Sequence, residues 1–191
     1  MPFAAKNFDH LLGTPGFSEQ LLRNHFKLYE GYVSNTNGLV SRLEGLTHEK
    51  RNDTPEFAEM QRRLGWEFNG MRLHELYFGN ISKTSASPAG KDFQARVAGI
   101  YGSWDAFLAD FKAVGKMRGI GWVMTVWDPV SKEFFNIWVS EHDVGLLAGC
   151  KVLLVMDVFE HAYITDYGLN RASYIDSFMK TVDWKAVEQR F

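Results

Sequence analysis

Asp157 and His161, in the run Met156-Asp157-Val158-Phe159-Glu160-His161-Ala162-Tyr163, set a carboxylate and an imidazole four positions apart just after an apolar stretch. Such a pair can aim at one point in space. A carboxylate oxygen with a neutral imidazole nitrogen suits a first-row metal ion, iron and manganese included. Two donors alone are a weak signal, so the other histidines decide. The chain has six: His10, His25, His48, His74, His142 and His161. His10 and His48 lie in polar, irregular stretches and read as surface residues. His25 and His74 each fall among the apolar positions of an amphipathic pattern, so both imidazoles are expected to face inward. A single inward histidine is most often a core residue satisfied by a hydrogen bond. Two of them with Asp157 and His161 offer three nitrogens and one carboxylate, and leave a position for water or substrate, as a redox-active metal requires. His74-Glu75 opens like a zinc-protease helix, but Phe78 stands where that motif needs its second histidine. A subset of the four donors would also serve a two-histidine, one-carboxylate iron oxygenase, and that reading stays open at this point.

The periodicity shows which elements must carry these residues. A first helix runs from Phe17 to about Leu46, capped by Ser18, with Leu21, Leu22, His25, Leu28, Tyr29 and Tyr32 at helical spacing. The polar stretch Thr47 to Asp53 interrupts it. Thr54-Pro55-Glu56 then supplies a capping hydroxyl and a proline at the first helical position. The helix it starts carries Phe57, Met60, Leu64, Phe68, Met71, His74 and Phe78, and the two read as an antiparallel α-helical hairpin. Ser82 to Gly90 is small, polar and rich in breakers, the signature of a linker. Short helical patterns follow around 92–101 and 103–116. Three β-rich runs come next, Gly121 to Trp127, Glu133 to Val139 and Lys151 to Met156, the first two joined by the turn Asp128-Pro129-Val130-Ser131. A helical stretch from about Asn170 to Val182 and a short one from Asp183 close the chain. The expected fold class is α+β: the N-terminal hairpin, then a C-terminal α/β half with a three-stranded antiparallel sheet. The expected domains are 1–84 and 91–191.

Hydrophobic content of 46% and aromatic content of 15% across 191 residues are those of a globular chain with a real core. The formal net charge is −2 and no basic stripe is visible, so nucleic acid is not an expected partner. No apolar run approaches the roughly 18 residues of a spanning helix, and no membrane partner is expected. Met1 to Lys6 lacks a secretory pattern, and a cytoplasmic location is expected. The one cysteine, Cys150, excludes an intrachain disulfide and a multi-thiolate metal site, and reads as a buried small hydrophobe.

The run Asp157-Val158-Phe159-Glu160-His161-Ala162-Tyr163 resembles the Asp-x-Trp-Glu-His-Ala-Tyr signature of the iron/manganese superoxide dismutases, and the resemblance covers nearly the whole chain. His25 with Tyr32-Val33 looks like the family's first ligand helix, and Asn69 through Tyr77 like its second. Gly119-Ile120-Gly121-Trp122 resembles the glycine-tryptophan strand start. Asn170-Arg171 with Tyr174, and Val182-Asp183-Trp184 through Arg190-Phe191, are similar to the C-terminal helices. The resemblance implies His25, His74, Asp157 and His161 as ligands of one iron per subunit, with manganese possible. It implies Tyr32 as the gateway tyrosine and Trp122 as an aromatic wall. Glu160 would reach a partner subunit's ligand histidine in a homodimer or higher homo-oligomer. Family members place a side chain against the metal-bound solvent from one of two positions. Gly70 stands at the first and offers nothing; His142 stands at the second and is the implied donor. This combination favours iron. The implied activity is disproportionation of superoxide to dioxygen and hydrogen peroxide. The alternative is a catalytically weak or silent metal-binding homologue acting as a binding or structural subunit. Retention of all four ligands argues against it.

The departures from the family pattern cluster around the same pocket. The family shows a histidine four residues and a tyrosine eight residues after the first ligand; here Tyr29 and Tyr32 stand at plus four and plus seven. Seven residues come close to two regular turns, whereas eight overshoot by roughly 80° at ~3.6 residues per turn. The family accommodates eight with an extra-residue bulge, so a regular first helix is expected here. Phe78 and Phe159 occupy usual tryptophan positions, and Ile164 replaces an interface tyrosine. With little net charge to steer an anion, Lys27 or Arg171 could supply a local cation.

Overall fold

The computed structural model describes residues 2–84 and 89–191; of the expected linker, Ser85 to Pro88 lie outside the described residues. Helix α1 (Glu19–His48) and helix α2 (Pro55–Phe78) form the antiparallel hairpin. Both starts follow the sequence signals. The Ser18 hydroxyl accepts from Leu21 N–H at 3.1 Å and the Thr54 hydroxyl from Phe57 N–H at 3.3 Å, with Pro55 at the first turn. Each such cap is worth about 1 kcal/mol. Burial along α2 is graded: Phe57, Met60, Leu64 and Phe68 are half-buried, while Met71, Leu73, His74, Tyr77 and Phe78 are buried. The hairpin tip therefore projects beyond the core and its base enters it. Leu28 departs from its expected inward place and is 37% exposed.

Helices α3 (Lys91–Tyr101) and α4 (Trp104–Gly115) lead into strands β1 (Gly121–Asp128), β2 (Glu133–Ser140) and β3 (Lys151–Asp157). The sheet order is β2-β1-β3, all antiparallel, so β1 is central. Gly121 to Val126 are buried without a break, as are Leu153 to Asp157 of β3, so both faces of these two strands are covered. The register sets Trp122 opposite both Val139 and Asp157, which puts the indole beside the carboxylate at the end of β3. A short 3-10 turn (Glu160–Ala162) and helices α5 (Ile164–Tyr167), α6 (Arg171–Thr181) and α7 (Trp184–Glu188) complete the chain. The architecture is the expected α+β fold. Cys150 differs from its expected place: it is half-buried at the rim of the core, because it precedes β3 rather than lying within it.

The hairpin base is fastened to the sheet by side chains that complete backbone pairing. Asn80, fully buried just past α2, donates to Val155 O at 3.1 Å and accepts from Val155 N–H at 3.0 Å. The Arg190 guanidinium donates to Leu153 O at 2.6 Å and Leu76 O at 3.0 Å, joining α2 to β3. Ile81 also bridges to Val182, with Ser82 N–H on Thr181 O at 2.7 Å. These ties join the end of α2 to β3 and to the chain after α6, and so set two of the places from which the site is built.

Candidate metal centre

His25 comes from α1, His74 from α2, Asp157 from the end of β3 and His161 from the 3-10 turn after it. Their donor atoms all lie within 4.8 Å of one another. Asp157 Oδ2 is the hub, 3.2 Å from His25 Nε2, 3.1 Å from His161 Nε2 and 3.7 Å from His74 Nε2. The side chains of His25, His74 and Asp157 are wholly buried, while that of His161 is 29% exposed. The carboxylate is aimed by its other oxygen, which accepts from Phe159 N–H at 2.9 Å. Its backbone carbonyl accepts from the Tyr174 hydroxyl at 2.6 Å, and Tyr77 backs Tyr174 at 3.1 Å. Residues from three separate stretches of the sequence thus point one set of atoms at one spot.

The protonation pattern suits a cation. His74 Nδ1 lies 2.6 Å from Gly70 O, an acceptor only, so that nitrogen carries the proton and Nε2 presents a lone pair. Nε2 is buried without a hydrogen-bond partner, as is His25 Nδ1. An unanswered buried polar atom costs about 1–3 kcal/mol, and a metal ion at this point removes that cost for His74. Burial lowers the pKa of His25 and pushes that of His74 well down, keeping both imidazoles neutral. Burial works to raise the Asp157 carboxyl, but the His161 and His25 imidazoles beside it outweigh burial and hold it below the usual carboxylate range. Neutral imidazoles and an ionised carboxylate are the states a metal needs. The residues present therefore fit a mononuclear ion with three nitrogen ligands and one oxygen ligand.

A second group stands against the cluster. Tyr32 stacks on the His74 ring at 5.1 Å, and its hydroxyl lies 2.7 Å from His142 Nε2. His142, fully buried, accepts at Nδ1 from the Trp122 indole N–H at 2.9 Å. An indole nitrogen only donates, so neutral His142 carries its proton on Nε2 and donates it to Tyr32 Oη. Burial lowers the His142 pKa to about 4, which keeps this tautomer neutral. The Tyr32 hydroxyl proton is then left for another acceptor. Its own ionisation is pushed up by burial and by the Asp157 and Glu67 charges.

α1 is unbroken α-helix from Glu19 to His48, as the seven-residue spacing of His25 and Tyr32 leads one to expect. The Tyr32 ring that this spacing directs lies over Gly70, where a Cβ would come within 2.5 Å of Cδ1 and 2.6 Å of Cε1. The glycine's missing side chain is the space the tyrosine fills. Tyr29 is no gateway residue. It is fully buried, donates to Glu75 at 3.0 Å and accepts from Lys6 N–H at 3.0 Å, with its pKa raised to about 12, mainly by burial. Phe78 packs edge-on against His25 at 4.9 Å, and Phe159 stacks on His161 at 5.3 Å and His142 at 5.0 Å. Ile164 is 47% exposed. Lys27 pairs with Glu30 at 2.9 Å, and Arg171 is spent on the carbonyls of Met117 and Gly119 at 2.8 and 2.7 Å. Sequence reasoning missed Trp66, whose ring lies 4.5 Å from that of His142 and 5.6 Å from that of Tyr32. Eight residues before His74 on α2, it is turned roughly 80° from that histidine at ~3.6 residues per turn, so spacing alone did not point to it. Glu141 and the Tyr77–Tyr174 pair behind Asp157 were missed too.

A nitrogen-rich donor set with one anionic oxygen, buried beside a tyrosine and an imidazole, is that of a mononuclear redox-metal protein. Comparison with known proteins narrows this class. Residues 88–190 match the family model described as iron/manganese superoxide dismutases, C-terminal domain. The chain is 34% identical over 187 residues to a manganese superoxide dismutase of Haloarcula marismortui, covering 95% of this chain and 89% of that one. It is 29% identical over 181 residues to an iron superoxide dismutase of Pyrobaculum aerophilum, covering 92% and 84%. With a manganese enzyme of Halobacterium salinarum it shares 31% over 188 residues, covering 96% and 91%. The chain belongs to the iron/manganese superoxide dismutase family.

Proposed function

We propose that His25, His74, Asp157 and His161 hold one iron or manganese ion, at which this chain disproportionates superoxide to dioxygen and hydrogen peroxide. The observation that carries the reading is the convergence of four donor atoms within 4.8 Å, with His74 Nε2 buried and unanswered. When bound, the ion would supply the one-electron chemistry that oxidises one superoxide and reduces a second. Two superoxide ions and two protons become one dioxygen and one hydrogen peroxide, so the protein must deliver protons. Tyr32 is placed to do so. With His142 donating to its oxygen, its own proton turns toward the space beside the stacked His74 ring. His142, steered by Trp122, holds that orientation and supports the oxygen when the proton leaves. The aromatic wall of buried Phe78 and Trp122 and half-buried Phe159 limits water around the donors.

Iron is the ion we favour, because Gly70 leaves the position against the site to His142; manganese is the alternative, and the relatives include both kinds. Purified protein loaded separately with each metal should consume superoxide with at least one of them. Absence of turnover with both would overturn the reading.

The same reading makes residues 1–84 and 91–191 two domains, supported by the C-terminal family model beginning at residue 88. It makes the protein a homodimer or higher homo-oligomer through Glu160, supported by that residue's exposure beside Ile164 at 47% and Leu169 at 94%. Sedimentation of the wild type against Glu160→Ala tests this; an unchanged monomer for both would refute it. A cytoplasmic location completes the reading, and cell fractionation checks it. Among the described residues, no helix is long and apolar enough to cross a membrane.

A further inference from the structure

The loop that carries His142 contains a feature the reaction has not used. Glu141, directly before it, has a φ of +51°, a left-handed conformation that residues other than glycine enter at a cost. Such strain persists where the surroundings over-determine it. Here Ser140 N–H donates to Val144 O at 2.8 Å and Val144 N–H returns to Ser140 O at 3.3 Å, closing a tight reversal around Glu141 and His142. The Glu141 side chain lies against α2, where Oε2 accepts from the Trp66 indole N–H at 2.8 Å. Trp66 packs edge-on against His142 and tilts against Tyr32. Arg63 lies 4.3 Å from the Trp66 ring centroid and is itself held by the buried Glu67 through two hydrogen bonds, of 3.1 and 3.0 Å. Among the described residues, the Trp66–Glu141 bond is the one hydrogen bond between this loop and the hairpin besides Tyr32–His142 itself.

We propose that Glu141 and Trp66 are positioning residues for the known reaction: their hydrogen bond draws the His142 loop onto α2 and so sets the separation of His142 Nε2 and Tyr32 Oη. Trp122 fixes His142 from the sheet side, and Trp66 with Glu141 fixes it from the hairpin side. The relay joins residues of α1 and of the loop after β2, so its length depends on how that loop docks on the hairpin. A bond made outside the reacting space sets a distance inside it.

The inference rests on the reading of Tyr32 and His142 as proton-handling groups, and its test has one readout that does not. Crystal structures of the metal-loaded wild type, Glu141→Ala, Glu141→Gln, Trp66→Phe and the Glu141→Ala/Trp66→Phe double variant give the Tyr32–His142 separation, while superoxide turnover is measured on the same samples. Glu141→Ala and Trp66→Phe should lengthen the 2.7 Å contact beyond hydrogen-bond reach and lower turnover about tenfold. The double variant should be no worse than either single one, and Glu141→Gln, which still accepts from the indole, should restore both readouts. Unchanged separation in the alanine and phenylalanine variants would overturn the proposal, whether turnover or thermal stability alone falls. Should the wild type itself fail to turn over superoxide, the functional reading fails, and the separations still decide the role of Glu141 and Trp66.

Discussion

Two groups of side chains meet where the hairpin joins the sheet, and they are built on opposite terms. In the donor cluster, three imidazole nitrogens face one carboxylate oxygen, and His74 Nε2 is buried with nothing to bond. In the group beside it, Trp122 donates to His142, and His142 donates to Tyr32, so every ring nitrogen is answered. The first is incomplete without a cation; in the second the ring nitrogens are paired within the protein, and the Tyr32 hydroxyl proton is left for an outside acceptor. The difference teaches where each depends on the rest of the chain. The cluster depends on four donors arriving at one point. The relay depends on shape, because Tyr32 occupies the space left by a glycine and Trp66 walls it from outside. Damage to one should look unlike damage to the other.

The largest effect should come from the cluster. Asp157→Ala removes its only anion, so metal content should fall to background and superoxide turnover by about a thousandfold or more. Loss of mere support for a ligand costs about 10–100-fold, and here the ligand itself goes. Metal analysis beside an activity assay measures both, and a metal-replete, active variant would break the comparison. Gly70→Ala should come next. Its Cβ would press on the Tyr32 ring, which has no slack within the packed site, costing about 1–3 kcal/mol of stability. Turnover should fall roughly tenfold with metal content intact; wild-type turnover would show that the relay does not depend on the missing side chain.

A pH series distinguishes the groups without activity. Burial holds His142 near pKa 4 in the folded chain against ~6.5 when unfolded. Between those values the unfolded chain binds more protons, so stability of the metal-free protein should fall as pH drops from about 6.5 toward about 4. His142 contributes at most ~1.4 kcal/mol per pH unit to that slope. Urea unfolding at a series of pH values should give a shallower slope for His142→Gln, and equal slopes would show that His142 is not held neutral. The smallest effect belongs to the hairpin tip. Thr54→Ala removes the α2 cap and should cost about 1 kcal/mol in urea melts while turnover stays unchanged.

The cluster was legible in the sequence and the relay only in part, for a physical reason. His25 and His74 announce themselves because a helix repeats its faces, and an imidazole among Leu21, Leu22, Met71 and Phe78 must point inward. Asp157 and His161 lie on either side of a strand end, where short range fixes both. The missing bulge in α1 followed from counting seven residues rather than eight. What spacing does not encode is the direction of a hydrogen bond between distant elements. Tyr29 occupies a gateway position in the sequence and turns instead to Glu75 and Lys6. Trp66 and Glu141 stand 75 residues apart, and only the folded chain brings them together. Cys150 and Leu28 were misplaced because a position near the end or flank of an apolar pattern does not fix how far the core extends.

One asymmetry in the cluster bears on traffic rather than on chemistry. His25, His74 and Asp157 are sealed, while of the four donors His161 alone touches solvent, on a three-residue turn. An ion entering or leaving has its shortest path past that ring, through local opening of the turn and not through unfolding of the long helices. Exchange should then be slow, and a second copy packed over Glu160 would slow it further. Chelator stripping would in that case depend on protein concentration, faster in dilute solution than in concentrated, so that assembly would act as the lock on the metal.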